Sequence, residues 1–251
     1  MLYRELNIGD LHIPYHDPFA WALFLEIVKV VKPTAINING DAIDFFQLSK
    51  WDKDPEQVKD GTLQENLDQW RHMIKEMQSA APKKCKYKYL PGNHEGWLRR
   101  YLMRNPELYG IRALELTSLM SLDELGIEYQ EEEIEVIAGK LILKHGEVVR
   151  KESAFSVKGE LERERYAISI IMNHVHRMGT FYVRTRNGLV KGHENGCLCQ
   201  LNPKYMKFPN WQQGCTMTTH YGGELFHVED IPFLNSGEHI KAVVLGNVVT
   251  L

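Results

Sequence analysis

The sequence predicts an α/β protein in which two mixed β-sheets pack face to face between outer helices, built as a single domain over residues 1–251. Three observations predict it. The N-terminal part reads strand, helix, strand, with a helix long enough to cross over, so those strands are parallel. From residue 133 onward the apolar period falls toward two, and short strands follow one another. No Pro/Gly-rich linker, low-complexity tract or internal repeat divides the chain, and its length suits one large core.

The elements follow in order. Residues 3–9 read as a first strand. Residues 18–32 read as a helix, with Leu23, Ile27, Val30 and Val31 on one face, Pro18 at its start and Pro33 stopping it. The run TAINI at 34–38 is a second strand, and 60–80 a second helix carrying Leu63, Leu67, Trp70, Ile74 and Met77 at helical spacing. CKYKYL at 85–90 alternates lysine with larger side chains and reads as a third strand. Residues 96–104 and 112–125 look helical, and the stretch of about 96–130 sits where a capping insertion would. Strands are then expected in EIEVIAG, KLILKHG, AISIIMNHVH, TFYVRT, GCLCQL, LFHVEDI and KAVVLGNVV, interrupted by a helix at 158–166.

Hydrophobic residues make up 43% and charged residues 25%, with a net charge of −3, so a soluble globular chain is expected and a general basic clamp on nucleic acid is not. No basic-then-apolar leader is seen at the N-terminus, and no apolar run approaches the ~20 residues that span a bilayer. A cytoplasmic protein with no membrane contact is expected. Cys85, Cys197, Cys199 and Cys215 are read as free thiols of a reducing compartment. Cys197 and Cys199, two apart, are expected on one half-buried strand face, a metal pair being the alternative.

The polar residues carry the chemistry through where they fall. Asp10 and His12 follow the first strand, Asp41 and Asp44 the second, Asn93 and His94 the third. His145 follows LILK, and His174 and His176 follow ISIIM. Parallel sheets gather ligand sites beyond the carboxyl ends of their strands, so folding should unite these groups. Carboxylates, imidazoles and one amide, without a thiolate, suit borderline or harder divalent ions, with manganese first and iron, zinc or nickel as alternatives. The donor set is too large for one ion but suits two ions sharing a carboxylate, ~3.5–4 Å apart.

GDLH at 9–12, GDAID at 40–44, GNHE at 92–95, HG at 145–146 and HVH at 174–176 resemble, in order, the five motifs of calcineurin-like metallophosphoesterases. The resemblance implies that Asp10, His12 and His176 hold one metal and Asn93, His145 and His174 the other, with Asp41 bridging. It implies that His94 faces the substrate, steadies the phosphate and protonates the leaving oxygen, with Asp44 orienting it or a ligand. A bridging hydroxide would then attack phosphorus in line with the leaving group.

There are departures. Asn173 stands where the family usually has Gly in the last motif. Phe45 and Phe46 follow Asp44, so the Arg of the protein-phosphatase branch is missing there. The expected activity is phosphate-ester hydrolysis, foremost of a phosphodiester, on a nucleotide or nucleic acid among other substrates. A nuclease, a protein or nucleotide phosphomonoesterase and a non-catalytic metal-binding scaffold are the alternatives. The lysines at 83, 84, 86 and 88 read as a phosphate track or, more simply, as the solvent face of an edge strand. Trp97, Arg99, Arg100 and Arg177 are read as a helix face and a loop cation. Trp211 is read as a core anchor or pocket wall.

Overall fold

A computed structural model describes residues 3–49, 61–203, 207–236 and 239–251. Residue 60, where the second helix was expected to begin, lies outside them. The chain opens with β1 (Tyr3–Ile8), α1 (Pro18–Val31), β2 (Ala35–Asn39), α2 (Leu63–Ala80), β3 (Lys86–Leu90), α3 (Glu95–Arg104), α4 (Leu116–Leu119) and β4 (Ile127–Tyr129). It continues with β5 (Ile134–Ile137), β6 (Leu141–Lys144), α5 (Phe155–Arg163), β7 (Ser169–Met172), β8 (Met178–Thr185) and β9 (Gly188–Asn195). The last strands are β10 (Gly214–Gly222), β11 (Leu225–Pro232), β12 (Leu234–Ser236), β13 (His239–Val244) and β14 (Asn247–Thr250).

Local chemistry sets the helix starts. The Asp17 carboxylate accepts from Phe19 N at 2.9 Å and Ala20 N at 3.1 Å, with Pro18 at the first helical position. Such a cap contributes about 1 kcal/mol. Thr62 and Glu65 cap α2 reciprocally.

The first sheet runs β11-β10-β1-β2-β3-β4. β1 through β4 are parallel, and β10 and β11 join antiparallel. The second sheet runs β5-β6-β7-β9-β8, with β6, β7 and β9 parallel. The two are packed mixed sheets, as the sequence predicts. Leu90 and Val228 from one meet Ile134, Val136, Leu141, Leu143 and Ile171 from the other. The outer face of the first sheet (Leu6, Ile8, Ile36, Ile38, Tyr87, Tyr89) is covered by α1 and α2, and β13 adds Ile240, Ala242 and Val244. The outer face of the second is covered by Val157 and Leu161 of α5.

Some expectations fail for tertiary reasons. GCLCQL forms no strand: its backbone makes single bridges, and Leu198 N and Gln200 N donate to Asp10 O and Tyr15 O instead. Residues 112–125 hold only the one-turn α4 and short turns. Met120 and Leu122 are fully buried, Trp70 Nε1 donates to Met120 O at 3.0 Å, and Ser121 turns left-handed at φ 53°. Docking onto α2 outweighs helix continuation there. β9 and β10 were not foreseen, because glycines and threonines obscure their alternation; in β10, Thr216 and Thr218 are buried alongside Cys215 and Met217. β3 is not an edge strand, since β2 and β4 flank it; Lys86 is exposed and Lys88 half-buried.

Candidate metal centre

The connections after β1, β2, β3, β6 and β7 meet at one end of the sandwich. Backbone bonds hold the first two together: Asp10 N to Gly40 O at 3.0 Å, His12 N to Asp41 O at 2.9 Å, Asp44 N to Ile13 O at 3.0 Å. Asp10, His12, Asp41, His174 and His176 all adopt left-handed backbone, with φ between 49° and 74°. For residues other than Gly that conformation costs roughly 1–2 kcal/mol each, and such strain collects at functional sites. Surrounding bonds hold it in place. Buried Glu95 accepts from Gly92 N at 2.7 Å, Asp41 N at 3.0 Å and Ala42 N at 3.0 Å, clamping two of the connections. Nothing in the residue order marks Glu95 for this role beyond its place in GNHE. At Gly92 a side chain is impossible: a Cβ would sit 2.1 Å from Asp41 Oδ1.

The predicted residues come together in two groups. Ligand atoms of Asp10, His12 and His176 lie within 4.8 Å of one another, and so do those of Asp41, His145 and His174. His12 Nε2 is 3.0 Å from His176 Nε2, and His145 Nε2 is 3.1 Å from Asn93 Oδ1. Asp41 Oδ2 joins the groups, 3.7 Å from His12 Nε2 and 3.2 Å from His145 Nε2.

In His12, His145, His176 and His94 the Nδ1 atom faces a partner of its own. His12 Nδ1 faces Asp44 Oδ2 at 3.0 Å, and His145 Nδ1 donates to Asn39 O at 2.8 Å. His176 Nδ1 lies 3.8 Å from Cys199 Sγ. His94 Nδ1 donates to Asp44 O at 2.7 Å and sits 3.5 Å from Asp44 Oδ2. Its ring stacks on Trp97 at 4.2 Å, while Trp211 lies 4.3 Å from the His176 ring.

Each carboxylate divides its oxygens between protein and pocket. Asp10 Oδ2 accepts from His174 N at 2.9 Å, whereas the fully buried Oδ1 has no hydrogen-bond partner. Asp41 Oδ1 accepts from His94 N at 2.8 Å, leaving Oδ2 among the imidazoles. A buried carboxylate oxygen without a donor is costly. An orphaned anionic oxygen facing imidazole nitrogens, with second nitrogens already engaged, fits a divalent cation.

The charges agree. Burial pushes the Asp10 carboxyl up to about 7. Burial opposes ionisation of Asp41 too, but the charges of His145 and His94 hold it well below the usual carboxylate range. Burial lowers His12, yet the Asp44 hydrogen bond and the charges of Asp41, Asp44 and Asp10 prevail and raise it to about 9. His145, likewise depressed by burial, is raised to about 10 by Asp41 and Asp10 and by its bond to Asn39. Burial and then the His12 charge push His176 well down, and burial and then the His145 charge lower His174. Without a cation, His12 and His145 keep protons that balance the carboxylates.

Two arginines take structural partners here. Arg177 lies in the loop between β7 and β8 but is buried, donating to Lys151 O at 2.8 Å and Ser156 Oγ at 3.1 Å. Arg100 reaches back to Asn93 O at 3.0 Å, tying α3 to that connection.

Comparison with known proteins gives distant structural likenesses. Vps29 from Chaetomium thermophilum is 11% identical, with 99% of this chain and 94% of that one covered, at a TM-score of 0.49. Vacuolar Protein Sorting 29 from Cryptosporidium parvum is 14% identical over 100% and 96%, at 0.47. Nuclease MPE from Pseudomonas putida is 14% identical over 98% and 87%, at 0.34. No curated protein matches the chain in sequence. The family model for calcineurin-like phosphoesterases matches residues 4–204, and the chain belongs to that family.

Proposed function

We propose that the chain is a dinuclear metal-dependent phosphodiesterase. The observation that carries this is Asp41, with one oxygen fixed by His94 N and the other shared between His12 and His145. Asp10, His12 and His176 would hold one ion and Asn93, His145 and His174 the second, with Asp41 between them. The oxygen and nitrogen donors suit manganese, or iron, zinc or nickel. When bound, such a pair neutralises phosphoryl oxygens and activates water.

The protein's own groups do the rest. Asp44 takes up the second nitrogen of His12 and accepts from His94 through its carbonyl. His94 is thereby left with Nε2 to meet the substrate. With Nδ1–H given to the Asp44 carbonyl, it is the imidazolium form that would deliver an Nε2 proton to the departing oxygen and leave neutral His94. Trp97 stacks on the ring and restricts its rotation. Asp10 and Asp41 each take a backbone N–H on the outer oxygen, which aims the other oxygen at the ligand group.

A diester is favoured because no arginine follows Asp44; Phe45 and Phe46 are buried in its place. A diester monoanion asks for less positive charge than a monoester dianion. Of the connection from 96 to 130, only 96–115 is read as a cap, because Met120, Leu122 and Ile127 join the core and β4 the first sheet; its exposed Met103, Tyr109 and Ile111 would offer apolar contact to the non-reacting part of a substrate. Nucleotides and nucleic acids are the natural classes to try.

The test is turnover by protein loaded with manganese on bis-nitrophenyl phosphate, nitrophenyl phosphate, cyclic nucleotides, and single- and double-stranded DNA, with metal content measured on the same sample. Diester turnover exceeding monoester turnover is expected. The reverse order would replace this reading with a monoesterase. No turnover with two ions bound would favour a non-catalytic scaffold.

A further inference from the structure

His176 offers one nitrogen to the proposed dinuclear centre and the other to sulfur. Nε2 lies 3.0 Å from His12 Nε2 and 3.9 Å from Asp10 Oδ1. Nδ1, on the opposite side of the ring, lies 3.8 Å from Cys199 Sγ. Cys197 completes the group: its sulfur, that of Cys199 and a ring nitrogen of His176 all lie within 4.8 Å of one another. Exposure is 0% for Cys197, 3% for Cys199 and 7% for His176.

We propose that Cys197, Cys199 and His176 Nδ1 form a further metal site, for a thiophilic divalent ion such as zinc, beside the oxygen- and nitrogen-lined pair. Donor chemistry separates the two. Two sulfurs and an imidazole select softer ions, while Asp10, Asp41, Asn93 and the remaining histidines suit harder ones. Distance fits as well. Bonds of ~2.3 Å to sulfur and ~2.0–2.1 Å to nitrogen in a tetrahedron place neighbouring donors roughly 3.5–3.8 Å apart. The spacing of Cys199 Sγ from His176 Nδ1 meets that without rearrangement.

Charge supplies the reason for two thiols. Burial makes a lone thiolate expensive, and both sulfurs are buried. Two thiolates around a divalent ion are neutral together. Binding there releases two protons to solvent, one from each thiol, and a third from the His176 ring when both of its nitrogens hold ions.

The backbone is arranged for it. Residues 196–201 are held by the single bridges Cys197–Gln213 and His16–Cys199 instead of a continuous ladder. Leu198, between the cysteines, is fully buried, and its N–H bonds Asp10 O at 3.1 Å. The sulfurs are thus anchored to the same connection that carries Asp10 and His12.

Cobalt(II) tests this without reference to activity. Titrated into the metal-free protein, cobalt should produce a sulfur-to-cobalt charge-transfer band in the near ultraviolet. The band should vanish in the Cys197→Ser/Cys199→Ser variant, with one ion fewer bound per chain, and persist in Cys85→Ser and Cys215→Ser. No sulfur band in the unaltered protein overturns the proposal. So does a band that survives the double variant. Because the dinuclear centre has no sulfur donor, cobalt bound without the band would leave the phosphodiesterase reading standing while this one falls.

Discussion

Asn173 Nδ2 lies 3.3 Å from Asp10 Oδ2, and the Oδ1 of the same side chain accepts from Asn39 Nδ2 at 3.0 Å and Asn195 Nδ2 at 3.1 Å. Asn39 O in turn accepts from His145 Nδ1 at 2.8 Å. One buried amide therefore stands between an Asp10 carboxylate in one ligand group and a His145 imidazole in the other. Gly9 makes the room, since a Cβ there would lie 2.6 Å from Asn173 Cγ. A residue that departs from the family pattern thus adds a second link, beside Asp41, between the groups.

Replacing Asn173 with Gly should therefore loosen both groups while removing no ligand. Metal affinity should fall about 10- to 100-fold, the usual cost of losing a ligand's outer partner. Competition with a chelator on the unaltered and Asn173→Gly proteins measures it; equal affinities would refute the link.

Asp41→Asn should lower metal content at both groups together, because Asp41 Oδ2 faces His12 and His145 alike. Elemental analysis after dialysis reads the outcome. Two ions retained per chain would remove Asp41 from the bridging place.

His94→Ala should leave metal content unchanged: although its ring lies within ligand reach of His12 and Asp44, its Nδ1 is given to Asp44 O, its ring stacks on Trp97, and it stands outside the two groups that Asp41 joins. Turnover should drop about 10²- to 10⁴-fold on diesters with poor leaving groups, and less where the leaving oxygen needs no proton. Equal losses on both kinds of substrate would deny His94 the proton.

The metal-free protein should lose stability as pH rises from about 6.5 to 10. His12 and His145 have folded-state values of about 9 and 10, above the ordinary 6.5. Folding therefore favours their protonated forms, and that contribution is complete below the unfolded value and gone above the folded one. Asp10, raised to about 7, acts in the same direction between about pH 4 and 7. Melting temperature across this range is the measurement. Adding manganese at pH 7 should release protons, seen as a buffer-dependent binding enthalpy.

Glu95→Gln should destabilise the fold by about 2–3 kcal/mol, because the carboxylate accepts from Gly92 and Asp41 N–H on one oxygen and Ala42 N–H on the other, and an amide has only one accepting end. The urea midpoint should shift down with an unchanged slope.

The sequence by itself determined the parallel strands, the two-sheet class and the identity of the residues that meet. Strand patterns of period two and a crossover helix are local, and polar residues after strands converge in any sheet of this kind. Asp10, His12, Asp41, Asn93, His145, His174 and His176 were legible for that reason. Tertiary structure decided what supports them. Glu95, Asn173 and Cys199 act through partners 22 to 163 residues away, and no local period encodes a contact of that span. The same holds for GCLCQL, whose N–H groups were free to pair in a strand but satisfy Asp10 and Tyr15 carbonyls instead. Buried polar groups must find partners wherever the fold places them, and only folding shows where those are.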